Sequence, residues 1–250
     1  MQSPEVMSGK VVLISGAAQR IGAAIARCLH GLGMDIIVHY RNSRTAAEDL
    51  QSELQTRRPG SIYLVRGDLL DTSGLPKLVN EAHRWQGRLD AIVNNASSFY
   101  PTPIPEVNET QWDDLLGSNL KAPFFLAQAA SPYLRRHHGC IVNIVDIHAE
   151  RPLKGYAVYS IAKAGLVMAT KALARELGPE IRVNAVAPGA ILWPEHGASD
   201  ETRRHIIANT ALKRQGSPQD IAGAVAFLIR EAEYMTGQVL TVDGGRSLRN

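Results

Sequence analysis

The sequence predicts a single-domain α/β fold, a doubly wound parallel seven-stranded sheet with helices on both faces. Three observations predict it. Short β-branched runs alternate with helix-length segments along the chain. Most of these runs are apolar without alternation, as expected of strands covered on both faces. No Pro/Gly/Ser-rich linker, charge run, low-complexity segment or short-period repeat divides the 250 residues, a length that α/β folds often use as one domain.

The first strand is the run Val-Val-Leu-Ile at 11–14. After it Ile21, Ala24, Ile25, Cys28, Leu29 and Leu32 recur at helical spacing, and Gly33 closes that helix. Strand 36–38 precedes a helix at 44–57, and strand 62–65 precedes one at 75–85. Strand 91–93 precedes a helix at 109–134, and strand 141–145 one at 156–177. Strand 183–186 and strand 239–242 flank a last helix at 219–230, which Ser217-Pro218 opens. The reading gives seven strands and six main helices in one domain spanning 1–250. Residues 190–210 break the alternation. They are polar, hold Pro194, Gly197 and Asp200, and read as a substrate-side loop or lid, or as a surface excursion. Such a sheet is Rossmann-like, and its ligands bind at the carboxyl ends of the strands beside the switch point.

Composition narrows the function classes. Lys plus Arg is 27 and Asp plus Glu is 24, a net charge of +3, too mild to argue for nucleic acid. Two cysteines, Cys28 and Cys140, exclude a disulfide framework and a Cys-based zinc site, and suit a reducing cytosol. Residues 1–10 hold no apolar stretch for a signal peptide, and no run approaches a membrane span. The eight histidines show no metal-ligand spacing. The expectation is a cytoplasmic protein with no metal, no membrane and no nucleic acid.

The residues just after each strand carry the chemistry. After the first come Ser15-Gly16-Ala17-Ala18-Gln19-Arg20-Ile21-Gly22. Small residues let backbone approach a phosphate, and the following helix N-terminus favours an anion. A merely tight turn reads equally well. After the second come His39-Tyr40-Arg41-Asn42-Ser43. NAD-preferring sites usually place an acid here for the ribose 2′-hydroxyl. A cation with small hydrogen-bonding side chains suits a 2′-phosphate, hence NADP(H). The alternative is a solvated helix entry with Ser43 as N-cap. Asp68, past the third strand, is placed either to accept from an adenine amino group or to cap a turn. After the fourth come Asn94-Asn95-Ala96-Ser97-Ser98-Phe99-Tyr100, with aromatic faces for a planar ring or for core packing. After the fifth comes Asp146, then Tyr159 and Lys163 on one helix face. An ammonium beside a phenol lowers its pKa from about 10 and makes it a proton donor near neutral pH. Tyr156 lacks that partner, since Ser160 stands four residues on.

The order and spacing of Gly16…Gly22, Asn94-Asn95-Ala96, Asn119, Tyr159-Ser160-Ile161-Ala162-Lys163, Pro188-Gly189 and Asp243-Gly244-Gly245 resemble the short-chain dehydrogenase/reductase family over nearly the whole chain. The resemblance implies that Tyr159 donates a proton, that Lys163 binds the nicotinamide ribose and lowers the Tyr159 pKa, and that Asn119 supports a water-mediated relay. It implies a cofactor site of Gly16, Gln19, Arg20, Ile21, Gly22, His39 to Ser43, Asp68, Leu69, Asn95, Ala96, Ser97, Tyr159, Lys163, Pro188, Gly189 and Ile191. It also implies a homotetramer.

Two departures resemble the pteridine reductase branch. Arg20 replaces the usual central glycine of the first turn, and Asp146 replaces the usual catalytic Ser, thirteen residues before the Tyr. The phrases Asn95 to Pro101, His39-Tyr40-Arg41, Pro188 to Glu195 and the ending Asp243-Gly244-Gly245-Arg246 resemble it too. A pterin presents ring nitrogens and an exocyclic amine. A carboxylate accepts from an N–H and helps pass a proton to a ring nitrogen. The resemblance implies an NADPH-dependent pteridine reductase acting on a dihydropterin or oxidised pterin, with dihydrofolate as a further substrate. Phe99 would stack the pterin, and Arg20, Ser97, Asp146, Tyr159, Leu192 and Trp193 would line its site. An NADPH carbonyl reductase acting on a small ketone is the first alternative. A non-catalytic dinucleotide sensor is the second, and the complete Asn119, Tyr159 and Lys163 set argues against it.

Overall fold

A computed structural model of the protein describes residues 7–193 and 199–248. Among them run seven parallel strands: β1 (Val11–Ile14), β2 (Asp35–Tyr40), β3 (Ile62–Arg66), β4 (Ala91–Asn94), β5 (Cys140–Ile144), β6 (Arg182–Pro188) and β7 (Val239–Val242). Their order is β3-β2-β1-β4-β5-β6-β7, so the switch point lies between β1 and β4. The crossovers are helices α1 (Arg20–Gly31), α2 (Arg44–Gln55), α3 (Leu75–Gln86), α4 (Glu109–Leu116), α5 (Ala122–Leu134) and α6 (Ala157–Leu177), followed by α7 (Asp200–Ala208) and α8 (Pro218–Arg230).

Strand side chains alternate between faces, and both faces are covered. Along β1, Val12 and Ile14 join one buried cluster with Ile25 and Leu29 of α1 and Val225 of α8. Val11 and Leu13 join the other, with Val79 of α3 and Leu126 and Leu134 of α5. This is why the strands read as unbroken apolar runs. Ser217 opens α8 with a capping box, its hydroxyl accepting from Asp220 N while the Asp220 carboxylate takes Ser217 N.

Three helical expectations are corrected. The helix expected at 109–134 is two α-helices joined by one π-helical turn, Gly117–Lys121. The extra residue in that turn rotates the downstream face without breaking the chain's helical course. Residues 190–210 are not irregular throughout, because α7 lies within them. Its start is capped by Ser199, which accepts from Thr202 N, and Asp200 and Glu201 occupy its first turn. None of its residues is buried, so no apolar stripe marked it. Pro194 to Ala198 of the same stretch, including Pro194, Glu195 and Gly197, lie outside the described residues. Ser43 occupies the N-cap position of α2 but makes no side-chain cap bond.

Among the described residues α6 alone is long and apolar enough to cross a membrane by length and composition. Half of that stretch is buried inside the fold, where it packs against β6 and carries Tyr159 and Lys163 to the sheet's carboxyl edge.

Candidate active site

The turn after β1 is stitched to the loop after β4. Ser15 Oγ accepts from Asn95 N at 2.9 Å and Ala96 N at 3.0 Å. Asn95 Nδ2 donates to the carbonyls of Ser15 and Gly16, each at 3.0 Å. Gly16 has φ +60°, and a Cβ there would sit 3.0 Å from Ala96 Cα. At Gly22 an added Cβ would lie 2.4 Å from the Gly16 carbonyl and 2.6 Å from Asn95 Nδ2. These two glycines therefore let α1 start against the turn itself. Arg20, exposed at φ +55°, begins α1, and Gln19 at its N-cap makes no side-chain cap bond. The first turn of α1 is therefore not closed by a side chain at its N-cap.

His39 supports this turn from beneath. Its Nδ1 accepts from Gly16 N at 3.2 Å and its Nε2 donates to the Gly67 carbonyl at 3.2 Å. Burial pushes its pKa down to about 4, so the ring is neutral and both nitrogens are committed to the fold. Tyr40 ends β2, and its carbonyl takes Gly67 N. Arg41 and Asn42 instead line an open depression of about 420 Å³ together with Arg66, Gly67 and Asp68. Arg66 Nε holds the Arg41 carbonyl at 3.2 Å, and Arg41 pairs with Asp68 at 3.6 Å. Asp68 Oδ1 also accepts from Leu70 N at 3.0 Å, so it does cap a turn; Leu69 beside it is buried. The sequence reading missed Arg66 and Gly67: the β2–β3 register brings Arg66 opposite Tyr40, and Gly67 follows it.

The reacting groups gather where β4 and β5 end. Asp146 follows β5 in extended conformation. Its Oδ1 accepts from His148 N at 2.9 Å, and its Oδ2 accepts from the Tyr159 hydroxyl at 2.8 Å. Lys163, one helical turn beyond Tyr159, is buried and donates from Nζ to the Ile144 carbonyl at 2.9 Å. The same Nζ lies 5.6 Å from the Tyr159 ring centroid.

This geometry corrects one expectation. The Tyr159 pKa is raised, not lowered. Burial is the largest cause, and the facing Asp146 carboxylate adds to it, while the Ser97 hydroxyl opposes. Lys163 is spent on a carbonyl and on the ring face, so burial, with the carboxylate adding to it, decides. Burial also pulls the Lys163 pKa down to about 8, against the opposing pull of Asp146.

Asn119, fully buried in the π turn, closes the site from α4 and α5. Its Nδ2 donates to the carbonyls of Ser98 at 2.9 Å and Leu115 at 3.0 Å, and its Oδ1 takes the Ser97 hydroxyl at 2.6 Å. Phe99 is 40% exposed. One face stacks on Tyr156 at 4.6 Å, and the ring meets Tyr159 edge-on at 4.8 Å. The set-aside Tyr156 is thus part of the aromatic wall, held there by the pairing of Thr102 with Tyr156. The only sequence signal was its place at the start of the Tyr159 helix.

On the far side β6 ends at Pro188. Gly189 packs so closely that an added Cβ would lie 2.6 Å from Asp243 Cβ. Ile191 is buried, and its carbonyl takes Gln215 Nε2 at 2.7 Å. Leu192 is half-buried against the core cluster on the α1 and α8 side of the sheet. Trp193 lies under the Arg203 guanidinium of α7 at 5.7 Å.

A nicotinamide dinucleotide fits these residues. The depression at the end of β2 offers two guanidiniums, the N-cap of α1 makes no side-chain cap bond, and the Asp146–Tyr159–Lys163 group stands where β5 ends and α6 begins. Comparison with known proteins agrees. A family model described as Enoyl-(Acyl carrier protein) reductase matches residues 16–247. The chain belongs to the short-chain dehydrogenase/reductase family. It is 35% identical to Pteridine reductase 1 of Leishmania tarentolae, over 95% of this chain and 96% of that one. It is also 35% identical to a 3-oxoacyl-[acyl-carrier-protein] reductase of Staphylococcus aureus, over 94% and 97%. A putative ketoacyl reductase of Streptomyces violaceoruber is 36% identical over 95% and 96%. This short-chain reductase is therefore an oxidoreductase, and reductases of its family use NAD(P)H.

Proposed function

We propose that this short-chain reductase is an NADPH-dependent pteridine reductase. Its substrate is a dihydropterin or an oxidised pterin, with dihydrofolate as a further candidate, and its working form is a cytoplasmic homotetramer. The observation that carries the reading is the Asp146 carboxylate on the Tyr159 hydroxyl. A ketone oxygen asks its enzyme for donors. A carboxylate in that place is an acceptor, and suits a ring that brings its own N–H groups.

Gly16, Gln19 to Gly22, Arg41, Asn42 and Ser43, with Asp68, Leu69, Asn95, Ala96, Pro188, Gly189 and Ile191 around them, would hold NADPH. The Arg41–Asp68 pair is exposed on both sides and worth little by itself, so Arg41 is available to a 2′-phosphate. When bound, NADPH supplies a hydride for a ring C=N carbon. Each reduction also needs one proton at the adjacent nitrogen. Tyr159 keeps its proton at neutral pH and holds it on Asp146, so the pair is a proton store rather than a base. Lys163 sets positive charge behind the phenol ring. Phe99 and Tyr156 give the planar substrate a rigid aromatic wall, and Asn119 fixes Ser97 beside it.

Deuterium transfer tests this reading. With NADPH deuterated at its transferable position, the label is expected on a pterin ring carbon in the reduced product. Label found only in an alcohol, from a 3-oxoacyl thioester or small ketone, would support the carbonyl reductase reading that the equal likeness to ketoacyl reductases favours.

A further inference from the structure

The Asp243-Gly244-Gly245-Arg246 ending has no role in the reaction described so far. The sheet places it. Val145 N bonds the Val186 carbonyl, and Val242 of β7 lies opposite Pro188 of β6. The residues that follow β5 and β7 therefore leave the sheet at one carboxyl edge, with β6 between them. Beyond Val242 the chain turns back sharply. Asp243 accepts Gly245 N at 2.8 Å and Ser247 N at 2.6 Å, one on each carboxylate oxygen, and its carbonyl takes Arg246 N at 3.2 Å. Gly244 and Gly245 stand at φ +63° and +80°, values that glycine adopts without strain.

This turn holds Arg246 half-buried. Among the described residues its guanidinium makes no hydrogen bond or ion pair. The carboxylate charges that its guanidinium senses are those of Asp146 and Asp243, and burial works against its charge. The Asp243 oxygens are occupied by backbone N–H groups of its own turn. Among the described residues the Asp146 carboxylate accepts from a backbone N–H and the Tyr159 hydroxyl, and Lys163 also senses it. A half-buried guanidinium without a partner costs desolvation unless a nearby charge offsets it.

We infer that Arg246 is a positioning residue for proton transfer, its guanidinium balancing the Asp146 carboxylate from the β7 side so that Asp146 stays an acceptor for Tyr159. This rests on the role proposed for Asp146. Arg246 touches neither the phenol nor Lys163, so it acts through Asp146 alone.

A double-mutant cycle tests it, measured as kcat and KM for a dihydropterin with NADPH. Arg246→Gln is expected to lower kcat about tenfold and leave KM within about twofold, the size usual for coupled charges in one network. Arg246→Lys, which keeps the charge, is expected to restore most of the rate. In an Asp146→Asn background the same Arg246→Gln change is expected to alter the residual kcat by less than about twofold. Equal factors in both backgrounds, or full activity in Arg246→Gln, would overturn the inference. If Arg246→Gln folds poorly by thermal melt, Arg246→Lys decides: near-normal kcat supports the role of charge, and a loss of about tenfold or more in a normally folded Arg246→Lys protein overturns it. A wild-type protein inert toward every pterin overturns the functional reading itself, whereas an active protein with additive effects overturns only the role of Arg246.

Discussion

Asp146 Oδ2 lies 2.8 Å from the Tyr159 hydroxyl, and the other oxygen of the same carboxylate caps the turn that follows. Both oxygens are thus fixed by the protein before any ligand arrives. The carboxylate is oriented by the backbone N–H of His148, and the phenol by Asp146.

Asp146→Ser is expected to lower kcat for a dihydropterin by about 10²-fold or more, the scale of a lost general acid–base partner. Ketone turnover is expected to persist or rise, because a hydroxyl donates where the carboxylate did not. Steady-state kinetics on both substrate classes checks this. Unchanged pterin turnover would remove the role given to Asp146.

The Lys163 ammonium, with its pKa pulled down to about 8 by burial, sets an alkaline limit. Below that pH it is charged and supports Tyr159. As pH rises through it the charge is lost. The profile of kcat/KM, which reports the free enzyme, is expected to fall above about pH 8. Lys163→Met is expected to abolish that limb along with most activity.

Gly22→Ala inverts the usual rule. In most helix interiors Ala stabilises relative to Gly by up to about 1 kcal/mol. Here the added Cβ meets the Gly16 carbonyl at 2.4 Å, and backbone cannot yield as a side chain does. Overpacking of this kind costs about 1–3 kcal/mol. A lower Tm and weaker NADPH binding are expected together, by calorimetry and titration.

Much of this was legible in the sequence, and for one reason. The strands are sandwiched between helices, so they announce themselves as apolar runs, and the residues ending them fall at one edge. β1 and β7 stand where the runs place them, and Tyr159 and Lys163 share a face because they are four apart. What stayed hidden depends on contacts across the chain. The π turn at Asn119 leaves no mark in a 3.6-residue period. Helix α7 buries nothing. The pairing of Tyr156 with Phe99 joins two loops 57 positions apart (156 − 99). The sign of the Tyr159 pKa shift depended on how deeply the phenol is buried and on the carboxylate that faces its hydroxyl, and helix spacing cannot show either.

Arg41→Ala is expected to reduce the preference for NADPH over NADH by about tenfold or more, as loss of a charge-assisted contact does. The ratio of kcat/KM for the two cofactors measures it. An unchanged ratio would move the 2′-phosphate contact to Arg66 or Arg44.

The most direct test offers the purified protein dihydrobiopterin, dihydromonapterin, dihydrofolate, a 3-oxoacyl thioester and small ketones side by side, and follows NADPH oxidation. The account predicts efficient turnover of a pterin and little of the carbonyl compounds. Rapid reduction of the thioester or ketones with every pterin inert would contradict it, and would leave the Asp146–Tyr159 pair as the proton store of a carbonyl reductase.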